Sequence, residues 1–311
     1  MPKVSVVLPV FNGAQFIGNA IQSVLKQSVR DFEVIVVDDG STDGTEKVVR
    51  QYSDGIRYHF QSNQGAGVAR NIGVSLAQGE WIAFLDADDT WYPDKLKIQL
   101  NFAAALPEIA LFYSDMDTVD DKDRVTEQAF LGKRLERRRR KKRRNLVSII
   151  FDDRPPPYPS TVFIKKNAFV EAGAFSPLFR GNYHEDLEFF SRVAQRFPIY
   201  FIPQSLAQYR VHDSKSGRDV SNWDNNWPVL LNRLWETWQG DPQMQAQLLY
   251  YYAKYFSDKG RYLLRKGDYS GARVYFRTAY SYKPVFWRNL GRWTLSFFPV
   301  NRVIYSHFWK R

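Results

Sequence analysis

A chain of 311 residues with a formal net charge of +11 and no cysteine has room for one large core plus an appendage. It excludes disulfides, thiolate catalysis and thiolate-held metals. No apolar stretch approaches the ~18–20 residues that span a bilayer, and Met1 to Leu8 runs into a strand without the pattern of a cleaved signal, so a soluble or peripheral protein is expected. The charge is local: Lys133 to Arg144 holds ten basic residues and one glutamate, which leaves only +2 for the rest of the chain.

In chain order, Val4 to Phe11 reads as a strand ending at the turn signal Asn12-Gly13. Ile17, Ala20, Ile21, Val24 and Leu25 follow at helical spacing. Phe32 to Val37 is a second apolar strand, ending in Asp38-Asp39-Gly40-Ser41-Thr42-Asp43-Gly44. A helix through Val48 and Val49, a short strand at Ile56–Phe60 and a helix over Gly65–Gln78 lead into Trp81 to Leu85. That run ends in Asp86-Ala87-Asp88-Asp89. The alternation predicts an α/β fold, a mostly parallel sheet covered by helices on both faces, with Phe11, Asp38-Asp39 and Asp86/Asp88 delivered to one edge.

Beyond Leu111–Asp115, a further strand, the pattern weakens. An acidic turn at Asp117–Asp123 precedes the basic run, and Pro155 to Pro159 forces an extended connection. Thr161–Ile164 reads as a strand, Lys166–Ala172 as a short helix, and Glu185 opens a longer one through Val193 and Ala194. Ile199–Ile202 and Leu206–Val211 read as two strands, the second running into His212. From about Ser216 the chain turns helical, and Ser257–Pro284 resembles one tetratricopeptide-like pair, with Ala272 and Ala279 at close-packing positions. This organisation suggests a catalytic domain over 1–215, a helical region over 216–285 and a basic, aromatic tail over 286–311.

Carboxylates cannot stay charged inside a buried strand. Asp86 and Asp88 therefore belong just past its end, where two oxygen donors one residue apart can share a hard divalent cation that grips a diphosphate. Pro9 and Phe11 offer a flat apolar surface to a nucleobase and Asp39 a polar edge partner, although aspartates in such turns also cap helices.

Together, Val4–Asn12, Val36–Asp43, Asn63-Gln64-Gly65-Ala66-Gly67-Val68-Ala69-Arg70-Asn71-Ile72-Gly73, Phe84–Trp91, Glu185-Asp186 and Tyr209-Arg210-Val211-His212 resemble glycosyltransferase family 2 enzymes of the GT-A fold. The resemblance covers roughly residues 3 to 215. It implies inverting transfer of a hexosyl or N-acetylhexosaminyl group from a nucleotide-sugar, a UDP-sugar for preference, with Mn²⁺ or Mg²⁺ held by Asp88, Asp86 and His212. It makes Asp186 the base, with Glu185 in support. By residue type alone, Glu185 and Glu188 fit the base role equally well. Arg70 is placed to touch the nucleotide or diphosphate, or to form a surface ion pair.

Ten basic residues in twelve repel one another, so the run is expected to be disordered or a solvated helix. An anionic membrane, a nucleic acid and an acidic acceptor compete as partners. No recognition motif supports nucleic acid, and each Lys or Arg beside an anionic leaflet contributes about 1 kcal/mol. Basic and aromatic residues also alternate over 287–311, which suits a membrane interface or packing on the catalytic domain. The expectation is an enzyme at the cytoplasmic membrane face, adding a sugar to a lipid-linked or polymeric cell-surface glycan. A protein-directed transferase and an inactive scaffold with a helical tail are the alternatives.

Overall fold

The computed structural model describes residues 2–52, 55–140, 150–151, 153–179, 184–211 and 220–282. His212, all of Gly181–Tyr183 before α7, and the tail over 287–311 lie outside them, as do residues 141–144 of the basic run. Two compact units divide at Leu230; the sequence reading set its boundary at residue 215.

The first unit begins with β1 (Val4–Val10), α1 (Ile17–Leu25), β2 (Phe32–Asp38), α2 (Thr45–Val49), β3 (Ile56–Phe60), α3 (Ala66–Leu76) and β4 (Trp81–Phe84). These four strands are parallel to their neighbours in the order β3-β2-β1-β4, and β1 and β4 are buried along their whole length. Burial on both faces explains why they read as unbroken apolar runs. Gly73 allows α3 to lie against β1, since a Cβ there would stand 2.2 Å from Cγ1 of Val7.

The second half of the sheet supplies its antiparallel part. β5 (Thr90–Trp91), α4 (Lys95–Ala105), β6 (Leu111–Val119), β7 (Val125–Glu127), α5 (Phe130–Arg140), β8 (Val162–Lys165), α6 (Lys166–Glu171), α7 (Glu185–Arg196) and β9 (Ile199–Arg210) follow. β8 runs antiparallel to both β4 and β6 while β6 and β9 again run parallel, so the sheet is mixed, as expected of this fold. Trp81 and Phe163 stack across the β4–β8 junction, with centroids 4.6 Å apart.

The two strands expected between Ile199 and Val211 are one. Ser114 pairs with Ile202 and Asp115 with Ser205, so Pro203 and Gln204 are skipped in the register. A proline has no N–H for the ladder and survives inside a strand at such a bulge. The basic run is helical as far as Arg140.

After α8 (Val220–Thr237), the second unit contains the helical pair α9 (Pro242–Arg265) and α10 (Tyr269–Tyr282). Asp241 caps α9 by accepting the Met244 N–H at 2.9 Å, with Pro242 at the first turn. Ala272 and Ala279 are fully buried, and Gly260 leaves room for the Phe276 ring, which a Cβ would meet at 2.7 Å.

Candidate active site

The parallel register brings the predicted strand ends together. Val10 lies opposite Asp38, the Asp39 N–H donates to Val10 O (2.8 Å), and the Leu85 N–H donates to Val7 O (3.1 Å). Pro9 is buried within β1, whereas Phe11 just beyond it is half exposed. Asp38 and Asp39 are buried, and both organise loops. Asp38 accepts Ser41 N–H and Tyr58 O–H, each at 2.8 Å. Asp39 accepts the Gln61 side chain and the N–H groups of Gln64 and Gly65 at 2.7–2.8 Å, holding the entry to α3.

The acidic turn after β4 divides into roles. Asp89 is buried; its Oδ2 accepts Ser160 Oγ–H (2.7 Å) and its Oδ1 accepts the Arg210 N–H (3.0 Å). Ser160 Oγ in turn accepts the Asp86 N–H at 3.1 Å, so one hydroxyl braces both ends of the turn. The buried Arg210 side chain donates to Asp88 O (3.1 Å) and Asp120 O (2.8 Å), pairs with Asp123, and lies over the Phe16 ring. Asp86 and Asp88 are left half-buried at the rim.

Arg70 is buried on α3 and spans two elements. Its Nη2 meets Asp86 at 2.6 Å and its Nη1 meets Glu185 at 3.4 Å, with the guanidinium over Phe175. It is a clamp and not a surface residue. Asn71 beside it exchanges two hydrogen bonds with the Phe175 backbone (2.8 and 2.9 Å), and Gly67 permits the approach of Glu185. The pattern from Gly65 to Gly73 thus packs α3 between β1 and the start of α7.

Glu185, Asp186 and Glu188 share the first turn of α7, after His184 in the left-handed region (φ 69°). Glu188 is fully buried and held by Arg192 through two bonds of 2.8 Å, which removes it from base chemistry. Glu185 is buried beneath Arg70, and burial, with the neighbouring Asp186 charge, raises its carboxyl to about 7. Asp186 is half-buried, with its pKa also raised by burial and with Oδ1 accepting the Leu187 N–H at 2.7 Å. Of the three, it is the least buried. One buried guanidinium thus faces the carboxyl groups of Asp86, Glu185 and Asp186.

Among the described residues, no three His, Cys, Asp or Glu side chains converge as a metal site. Asp86 and Asp88 as oxygen donors suit a hard cation that keeps its other positions for water and substrate phosphate. No helix among the described residues is long and apolar enough to cross a membrane.

The glycosyl transferase family 2 model matches residues 5–169, more than half of the chain. This chain belongs to glycosyltransferase family 2. An uncharacterized glycosyltransferase of Rickettsia typhi is 30% identical over 75% of this chain and 73% of its own length. TuaG of Bacillus subtilis, named for teichuronic acid biosynthesis, is 47% identical over 105 residues, covering 32% of this chain and 42% of its own. The crystal structure of Staphylococcus aureus TarS 1–349 with UDP matches at 18% identity with a TM-score of 0.64, over 94% of this chain and 88% of that one. Its complex with UDP-GlcNAc matches at 19% identity and 0.65, over 89% and 81%. The fold is GT-A, followed by a helical C-terminal region.

Sequence reasoning about this glycosyltransferase missed Ser160 and the bracing role of Asp89. A serine after a proline-rich stretch carries no signal of its partner 71 positions away. Ser160→Ala removes one hydrogen-bond partner from Asp89 Oδ2 and one from the Asp86 N–H, and is expected to cost about 1–3 kcal/mol. Urea unfolding measures this, and an unchanged midpoint would remove Ser160 from the bracing role.

Proposed function

We propose that this glycosyltransferase moves a hexosyl or N-acetylhexosaminyl group, with inversion, from a UDP-sugar to a hydroxyl of a lipid-linked or cell-surface polysaccharide precursor at the inner face of the cytoplasmic membrane. The observation that carries the reading is the Arg70 bridge from Asp86 to Glu185. It ties the acidic turn after β4 to the first turn of α7, where Asp186 follows Glu185, and so supports a single site built from both.

In this reading Phe11 lies against the nucleobase, while Asp39 holds the loop at the entry to α3. Asp86 and Asp88 carry Mn²⁺ or Mg²⁺, with His212 as a further ligand, and the cation when bound supplies Lewis-acid neutralisation of the diphosphate. Asp186 takes the proton from the acceptor hydroxyl as its oxygen bonds to the anomeric carbon. The bond to the diphosphate oxygen breaks on the opposite face, which inverts the centre. The surface-polymer assignment draws support from the name of TuaG, and the UDP-sugar from the ligands named with TarS.

The test is a panel of nucleotide-sugars with Mn²⁺, read by nucleoside diphosphate release. Turnover of a UDP-sugar that is lost with EDTA and in Asp88→Asn is the expected result. Absence of both turnover and binding for every donor would overturn the reading, and turnover that survives EDTA would remove the metal from it.

A further inference from the structure

Ser160 braces the acidic turn, and Ser160 is itself held from α4. It belongs to a short 3₁₀ turn, Pro159–Thr161, whose three residues are buried. Two carbonyls of this turn are gripped: the Trp91 indole N–H donates to Ser160 O (2.7 Å), and the Gln99 side-chain NH₂ donates to Thr161 O (2.9 Å). Both grips meet at Lys95. Its Nζ donates to Gln99 Oε1 at 2.7 Å and lies 4.0 Å from the centre of the Trp91 ring. Lys95 and Gln99 are fully buried, and Trp91 is nearly so.

Each contact follows from what the groups can do. A carbonyl only accepts, so Gln99 must turn its NH₂ towards Thr161, which leaves its oxygen facing a donor. Lys95 is that donor. The amine over the indole face also fixes the plane of the ring whose N–H reaches Ser160. The arrangement is unfavourable for Lys95 itself. Burial holds its amine well below the usual lysine range, and no carboxylate among the described residues pairs with it. A methionine of similar length would fill the space without desolvating an amine. A polar group kept at such a cost marks a place where the geometry it imposes matters.

We infer that Lys95 is a positioning residue for the donor site, setting Ser160, and through it the Asp86–Asp89 turn, by way of Gln99 and Trp91. The path is continuous. Lys95 meets Gln99 and Trp91, these hold the carbonyls of Thr161 and Ser160, and Ser160 Oγ meets the Asp86 N–H and the Asp89 carboxylate. Being buried, Lys95 reaches neither substrate nor cation. It acts through the shape of the turn that presents Asp86 and Asp88. The inference rests on the donor reading proposed above, in which that turn meets the diphosphate. Removing a group that supports metal-binding residues in this way typically weakens binding about 10–100-fold.

The test uses the full chain, with Lys95→Met and Trp91→Phe each compared with wild type. The first removes the donor to Gln99; the second keeps a ring beneath Lys95 and removes the N–H to Ser160. UDP titration calorimetry with Mn²⁺ reads the site, amide exchange over residues 84–91 reads the turn, and thermal unfolding reads the fold. In both variants UDP affinity is expected to fall about 10–100-fold. Exchange should quicken at the Asp86 N–H and not across the sheet. The unfolding temperature of Lys95→Met should stay close to that of wild type, because loss of the desolvated amine offsets the bond lost by Gln99. If Lys95→Met does not fold, Trp91→Phe carries the same expectations for affinity and exchange. Wild-type affinity in the folded variants, or lost affinity accompanied by faster exchange throughout the chain, would overturn the inference and leave the donor reading standing. A wild-type protein that binds no UDP would overturn the donor reading, and this inference with it.

Discussion

Asp186→Asn should bind UDP as wild type does while transfer falls by about 10²–10⁴-fold, the range supplied by a positioned general base. The substitution keeps the side-chain oxygen that accepts the Leu187 N–H, so the start of α7 has no reason to move. Glu188→Gln gives the control, because Glu188 is held by both bonds to Arg192. There the loss should appear as reduced stability, with donor hydrolysis largely retained in the folded fraction. Single-turnover kinetics and UDP titration calorimetry separate the cases. If Asp186→Asn retains transfer, or Glu188→Gln abolishes it without destabilisation, the base has been assigned to the wrong carboxylate.

Arg70→Met carries the second large effect. Removing one member of a buried ion pair leaves the other charge uncompensated, at a cost of about 3–5 kcal/mol. Here Glu185 is the stranded partner, since Asp86 reaches solvent and Glu185 does not. The loss should depend on pH, with a definite sign. The Glu185 carboxyl is raised in the fold from 4.5 to about 7, chiefly by burial, with Arg70 pulling it down. Its contribution to stability is therefore fully present below 4.5 and is lost as pH rises through about 7. Without Arg70 the carboxyl rises further. The variant should consequently fall least short of wild type in acid and most above neutrality. Denaturant unfolding on both sides of that window measures it, and a difference independent of pH would mean that Glu185 is not what Arg70 compensates.

The first half of the fold was legible because its signals are local. β1 and β4 are buried along their length and β2 over Val34–Asp38, so they read as apolar runs, and each is followed by a turn or acidic signal. The second half depends on partners far along the chain. Nothing in Val162–Lys165 states that this strand runs antiparallel to β4, and Pro203 reads as a break because the bulge that accommodates it is a property of the pairing with β6. α4 escaped notice for a similar reason: its buried face includes Lys95 and Gln99, which bond each other at 2.7 Å and disguise the apolar spacing.

The site divides in the same way. The candidate carboxylates could be named from residue type, and the family resemblance singled out Asp186, but the pairing of Glu185 with Arg70 and of Glu188 with Arg192 could not be read from the sequence. Arg70 was read as a contact for the nucleotide or as a surface pair; its burial between Asp86 and Glu185 rules out the surface pair and adds a bracing role.

Arg210 has a consequence for how the protein is made. It reaches the Asp88-Asp89 turn across more than a hundred residues of chain, through bonds separated by 121 and 122 positions. Contacts of such long sequence separation form late, because the intervening loop must close first. On the ribosome the parallel β3-β2-β1-β4 core can therefore assemble while its acidic turn is still unshaped. A fragment ending before β9 should keep that core and fail to grip a nucleotide-sugar.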